Sequence, residues 1–172
     1  MGLFSKVVEA WGSRQRRRLD VVRKESTKEL ARRMTTTYPD RTMPVRTGNL
    51  RSSLMVSTTA VPPVDPSKMP EPGKTYPWDL TAVFAAIDAT NIKQTIHLGF
   101  VAPYARRMEY GFNGQDSLGR TYHQRGYGFV RRAALEWQEI VREQDRIFAA
   151  NNRGILDRAM TRKVELPDVA VR

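Results

Sequence analysis

The chain contains no cysteine. Disulfides, thiol nucleophiles and cysteine-held metals are thereby excluded, and the composition fits a reducing compartment. Histidine is nearly as scarce. His97 and His123 stand alone, neither with a second ligand-type side chain two to four residues on, so no metal-site spacing exists. No apolar run approaches the ~18 residues of a membrane-spanning helix, and no signal-peptide core is read at the N-terminus. The opening MGLFSK has Lys6 where an N-myristoylation signal wants Ser or Thr, so its likeness to that signal is chance. Glycine-rich phosphate loops are missing too: GYG and GFNG lack the strand-then-helix setting and the lysine that such loops use. Glu109 lies in a short segment with Tyr104, Arg106, Arg107 and Tyr110. No motif puts beside it the second carboxylate or nucleophile that catalysis requires. The expectation is therefore a protein that is not an enzyme, with no catalytic or metal-binding residues and no cofactor.

What the chain has in plenty is positive charge. Lys and Arg number 29 against 18 Asp and Glu, a net +11 over 172 residues. Residues 1–51 hold 13 of the cations and 5 of the acids, which is +8 of that total. Arg14, Arg16, Arg17 and Arg18 crowd one stretch and form a candidate basic surface, facing either DNA or an acidic partner. No zipper heptads, zinc-finger spacing or RNA-recognition pattern accompanies them. The charge thus favours proximity to phosphate over sequence readout.

Periodicity predicts a helix from residue 3 to about 35. Phe4, Val8, Trp11, Leu19, Val22, Leu30 and Met34 recur at the spacing of one buried stripe. Gly12-Ser13 is a place for a kink, and Tyr38-Pro39 a stop. Such a helix is ~48 Å long, more than a domain of this size can cover, so one end is expected to reach a neighbour. Leu54 to Val61 reads as a strand. Between Pro62 and Pro77 lie six of the ten prolines, a segment that reads either as a disordered loop or as an extended arm docking on another subunit. Trp78–Ala89 and Ile92–Phe100 read as the strands of a hairpin turning near Asp88–Asn91, with Ala85-Ala86 spoiling the alternation of the first. Pro103 to Tyr110 reads as a short helix closed by Gly111. The glycine-rich stretch after it reads as a polar loop, and a second long helix of roughly 20 residues begins at Phe129. The fold class is α+β: a small antiparallel β-sheet packed on two long α-helices, with an extended arm and a C-terminal tail. Residues 1–150 form the domain, with the long helix within 1–37 and the arm at 62–77, and 151–172 form a C-terminal extension.

Three stretches in order resemble one family. PVRTGNLRSSL (44–54) resembles the Pro-Val-x-Thr-Gly-x-Leu-Arg-x-Ser signature of phage head–tail connector proteins. APYARRMEYGF (102–112) is similar to that family's Tyr-Ala…Glu-aromatic-Gly segment, and GYGFVRRAALEW (126–137) to its closing Pro-Phe-Leu-x-Pro-Ala helix start. The family is that of the neck, or tail-completion, proteins of long-tailed bacteriophages and their defective relatives, and the likeness covers about residues 10 to 148. Val130 and Ala133 stand where prolines are usual, and the arm is long. The matched positions are Thr47, Gly48, Leu50, Arg51, Tyr104, Ala105, Glu109, Gly111 and Phe129.

The resemblance implies a structural virion protein rather than an enzyme. Its copies form a ring, of six subunits by preference or of twelve, between a head-side connector and a tail-tube or tail-terminator protein. Genomic DNA passes non-specifically through the lumen. It implies a place in the virion neck, after assembly in the host bacterial cytoplasm, with no membrane partner. The alternative is a basic DNA-binding accessory protein acting as monomer or dimer. In the motif itself, Thr47 is expected as an N-cap and Gly48 at a positive φ or a close backbone approach. Leu50 and Leu54 are expected in the core, and Arg51 in an ion pair with Glu109.

Overall fold

The structure, a computed structural model, describes residues 3–37, 43–116 and 118–161, with side chains from Phe4 to Asn152. It is α+β. Helix α1 (Leu3–Thr35) is followed by a single turn α2 (Asn49–Ser52), strand β1 (Leu54–Ser57), helix α3 (Thr81–Asp88) and strand β2 (His97–Phe100). Then come α4 (Ala105–Tyr110), the strands β3 (Gly111–Gln115) and β4 (Thr121–Arg125), and the helices α5 (Phe129–Leu135) and α6 (Trp137–Thr161).

Helix α1 runs unbroken through Gly12-Ser13 for 33 residues, about 50 Å. The Ser13 hydroxyl donates back to the Glu9 carbonyl at 2.9 Å instead of opening the helix. The Tyr38-Pro39 stop lies outside the described residues. Only the C-terminal half of α1 joins the body: Val22, Ala31 and Met34 are buried, while Phe4, Trp11 and Leu19 are 80%, 60% and 62% exposed. The periodic stripe is real along its whole length, but its large apolar residues from Phe4 to Trp11 are exposed, and cover begins only with the half-buried Gly12, Gln15 and Arg18.

Helix α6 lies antiparallel to α1. Arg33 near the end of α1 pairs with Glu136 just before α6, and Arg18 donates from Nε and Nη2 to the two carboxylate oxygens of Asp145 at 2.7 and 2.6 Å. Between these pairs Ile140 is fully buried. The second long helix is broken at Glu136, with α5 and α6 as separate segments, and it continues past Asn151-Asn152 to Thr161. The C-terminal extension expected from residue 151 thus begins as helix, and residues 162–172 lie outside those described.

The strands differ from expectation in four places. Ile92–Phe100 is a strand only from His97 onward. Leu54–Val61 is a strand only to Ser57. Trp78–Ala89 is not a strand: Leu80, Val83, Phe84 and Ile87 lie one helical face apart, and residues 81–88 form α3. The Asp79 carboxylate accepts the Thr81 N–H at 2.8 Å at its start, and Ala85-Ala86, awkward for a strand, are ordinary helix formers. With that partner gone, β2 pairs instead with β1, antiparallel, Leu54 opposite Phe100 and Ser57 opposite His97. Finally, the polar loop after Gly111 is a hairpin, with Gly111 opposite Arg125 and Gln115 opposite Thr121. Its turn is organised by Asp116, whose carboxylate accepts the N–H groups of Leu118 and Arg120 at 2.9 and 3.0 Å and the Arg120 side chain at 2.7 Å. Those bonds, the Arg120 side chain first, hold the Asp116 carboxyl down to about 2.

The core lies where the sheet β1–β2 meets the helices. One cluster joins Ala31, Met34, Leu54, Val83, Ile87 and Ala133. A second joins Met43, Leu50, Ala102, Ala105 and Phe129, with Phe100 edge-on to Phe129 at 5.3 Å. Truncating Ile140 to Ala is expected to cost about 2–5 kcal/mol, and Phe4 to Ala less than about 0.5. Urea unfolding of the two variants checks the contrast.

Candidate subunit interface

The family-like motif forms a tight turn against the arm and α4. Gly48 has φ 88°, as its position required, and a Cβ there would stand 2.2 Å from the Tyr76 carbonyl oxygen. Only glycine lets the arm cross so close. The Tyr76 N–H donates to the Thr47 carbonyl at 2.7 Å. Thr47 is not the N-cap: Gly48 holds that place, and the Thr47 hydroxyl accepts the Asn49 N–H only at a long 3.4 Å. Leu50 and Leu54 are both buried, in the two different clusters.

Asn49, which the sequence reading passed over, is the polar centre of this turn. Its buried side-chain amide donates to the Lys68 carbonyl of the arm at 2.9 Å and to the Tyr104 hydroxyl at 3.0 Å. Burial pushes the Tyr104 hydroxyl above the usual tyrosine range, partly offset by the Asn49 bond. The arm is therefore bonded to its own chain: at Lys68, at Tyr76, and at Asp65, whose N–H donates to the Val101 carbonyl at 2.8 Å. Pro62 also packs over Gly99 of β2. Between motif, arm and α4 lies an open groove of about 610 Å³, lined by Pro44, Arg46, Leu50, Pro70, Tyr104 and Met108 among others.

The expected Arg51–Glu109 pair is not formed. Glu109 is buried, and its two carboxylate oxygens accept the N–H groups of Val130 and Arg131 at 2.9 and 3.0 Å. It caps the first turn of α5, where free N–H groups and the helix dipole both favour an anion. Its own carbonyl accepts the Gly128 N–H at 3.0 Å. Gly126 runs bare against this backbone: a Cβ there would stand 2.4 Å from the Glu109 oxygen. Arg51 lies instead over the Trp78 ring, 5.3 Å from its centroid, and Trp78 is held by a 3.1 Å bond to the Thr35 hydroxyl. Burial alone lowers the Arg51 pKa from the usual arginine range, and its Nε has no hydrogen-bond partner. Ala105 and Phe129 are core residues, and Gly111, with φ 86°, closes α4 and opens β3.

The basic stretch divides. Arg18 is committed to Asp145 and is not part of a free surface. Arg14, Arg16 and Arg17 are exposed; the bonds of Arg14 and Arg16 go to the Ala10 carbonyl and the Ser13 hydroxyl of their own helix. These cations border the uncovered apolar stripe of α1. Among the described residues no helix is long and apolar enough to cross a membrane.

Glu109→Ala leaves two part-buried N–H groups without their carboxylate and is expected to cost about 1–3 kcal/mol, with Glu109→Gln between it and the wild type; the shift of the urea midpoint measures both. Asn49→Ala is expected to speed proteolytic cutting within residues 62–77, and an unchanged cutting rate would mean that the other contacts hold the arm. No protein-family model matches the chain, and neither does any curated protein or solved structure.

Proposed function

We propose that the chain is a structural subunit of a bacteriophage neck. In this reading, copies assemble into a ring that joins the DNA-filled head to the tail. The observation that carries it is the exposed tip of α1: a helix end with Phe4 and Trp11 exposed at its apolar face and arginines beside it is costly to leave in water and calls for a protein surface. The likeness of residues 44–54, 102–112 and 126–137 to neck-protein motifs supplies the setting. The chemistry is that of assembly, with no substrate. Head-side connector and tail-tube or tail-terminator proteins would be the neighbours above and below, and DNA would pass through the lumen without being read.

Arg14, Arg16 and Arg17, exposed and without a carboxylate among the described residues, favour a second reading, a basic DNA-binding accessory protein. Light scattering at low and high salt, followed by negative-stain imaging, separates the two. A closed ring of six or twelve subunits is the expected result. A monomer or dimer that binds duplex DNA, with affinity falling steeply as salt rises, would replace the ring reading with the second.

A further inference from the structure

The segment from Pro103 to Leu135 carries six arginines, no lysine and two acids, and both acids are engaged inside it. Glu109 is buried and accepts the Val130 and Arg131 N–H groups, and Asp116 is paired with Arg120 at the hairpin tip. The other five arginines, Arg106, Arg107, Arg125, Arg131 and Arg132, are exposed, and none has a carboxylate partner among the described residues. Along α1, by contrast, all six cations from Arg18 to Arg33 have one.

The five radiate from one joint, where α4, the base of the β3–β4 hairpin and the start of α5 meet. A Cβ at Gly126 would stand 2.4 Å from the Tyr110 carbonyl carbon, and one at Gly128 would stand 3.4 Å from the Arg131 guanidinium and 3.9 Å from that of Arg132. The Arg131 guanidinium therefore lies no more than about 16 Å from the end of α4. Arg125 stands between, opposite Gly111 across the hairpin. Arg106 and Arg107 line an open pocket of about 610 Å³ with Pro103, Tyr110, Gly111 and Phe112. Two groups of acids border the joint without neutralising it. Asp65, whose N–H holds the arm to Val101, turns its carboxylate to Ser67. Glu139 and Glu143 lie past the elbow on α6, interleaved with Arg142 and Arg146.

Cations held this close without partners repel one another, and an anionic ligand relieves that repulsion. The surface chemistry selects the anion. A protein interface is built round an apolar centre, but the hairpin rings are already covered: Arg107 lies over Phe112 at 4.3 Å, and Tyr122 packs on Phe112 at 6.1 Å. What faces outward is mainly guanidinium, a planar donor fork that suits phosphate, and polar, strongly positive surfaces are those of protein–DNA contacts.

We propose that this joint is a phosphate-backbone site for duplex DNA, with Arg106, Arg125, Arg131 and Arg132 as its contacts and Arg107 held at its edge by Phe112. It rests on the readings above in taking DNA as the chain's neighbour, and it moves the DNA-facing surface from the arginines of α1 to the joint. Contacts to phosphate carry no sequence information, so binding is independent of sequence.

The test is fluorescence anisotropy of the full chain with a short labelled duplex from low to high salt, with light scattering on the same samples. The variant Arg106→Gln/Arg125→Gln/Arg131→Gln/Arg132→Gln changes exposed side chains that make no hydrogen bond or ion pair among the described residues, and circular dichroism verifies its fold. It is expected to weaken binding at least about tenfold at low salt and to flatten the slope of log K against log salt by about 3 to 4, since each phosphate contact contributes about 0.9. Arg14→Gln/Arg16→Gln/Arg17→Gln is expected to stay within about threefold of the wild type. Loss in the α1 variant with the joint variant unchanged, or equal loss per charge removed in both, overturns the site. So does a wild type that binds no duplex at low salt, whatever its mass; phosphatidylglycerol vesicles bound through the same arginines would then put lipid there. A chain that forms no ring, yet loses duplex binding in the joint variant, overturns the ring reading and upholds the site. Single-stranded DNA bound more tightly than duplex, and released by Tyr110→Ala, would make the joint a stacking site for unpaired bases and overturn the proposal.

Discussion

The carboxylate of Glu109 sits on the N-terminus of α5, accepting two backbone N–H groups in a buried setting. This one contact fixes the direction in which α5 leaves the body. It joins α4 to α5 across the base of the β3–β4 hairpin, whose strands Gly111 and Gly126 bring close to the same backbone. From α5 follow the elbow at Glu136 and the course of α6, and from α6 the support of α1. A charge-assisted cap of this kind is stronger than a neutral hydrogen bond.

Helix α1 then divides into two halves with different duties. Its C-terminal half is covered by α3, α5 and α6, where Arg33 meets Glu136 and Lys28 meets Asp88 at 2.7 Å. Arg23 adds a staple, donating to the Asn91 and Gln94 carbonyls at 3.0 Å and so holding the loop before β2 to α1. The first turns, from Phe4 to Trp11, keep the same apolar period with those residues exposed. A chain of this size can bury only part of a 50 Å helix, so the remainder has to be stabilised from outside or stay exposed. The same surplus appears at Leu135 on the elbow.

The arm and the motif show how much was legible locally. Gly48 was readable because only glycine suits a positive φ against a crossing chain; Leu50 and Leu54 were read as core and are buried, but one is in α2 and the other in β1, in different clusters. Asn49 was missed, since its partners, the Lys68 carbonyl and the Tyr104 hydroxyl, are 19 and 55 residues away. The prolines announced an extended segment between 62 and 77, but not the surface it lies on. Residues 78–89 were read as strand because a short apolar run carries no period long enough to separate the two structures; the alanine pair was the signal for helix.

Sequence alone determined the long basic α1, the α+β class, the glycine at 48 and the helix closure at Gly111, because each depends on local φ/ψ preference or on a period of apolar residues. Tertiary structure alone decided the partners. Glu109 took backbone N–H groups instead of Arg51, and every residue carries such a group, so no pattern of side chains announces it. Strand β2 took β1 because its neighbour in sequence had become a helix. Which half of the α1 stripe is covered was settled by where α6 lies, since a period names the face of a helix but not what packs against it.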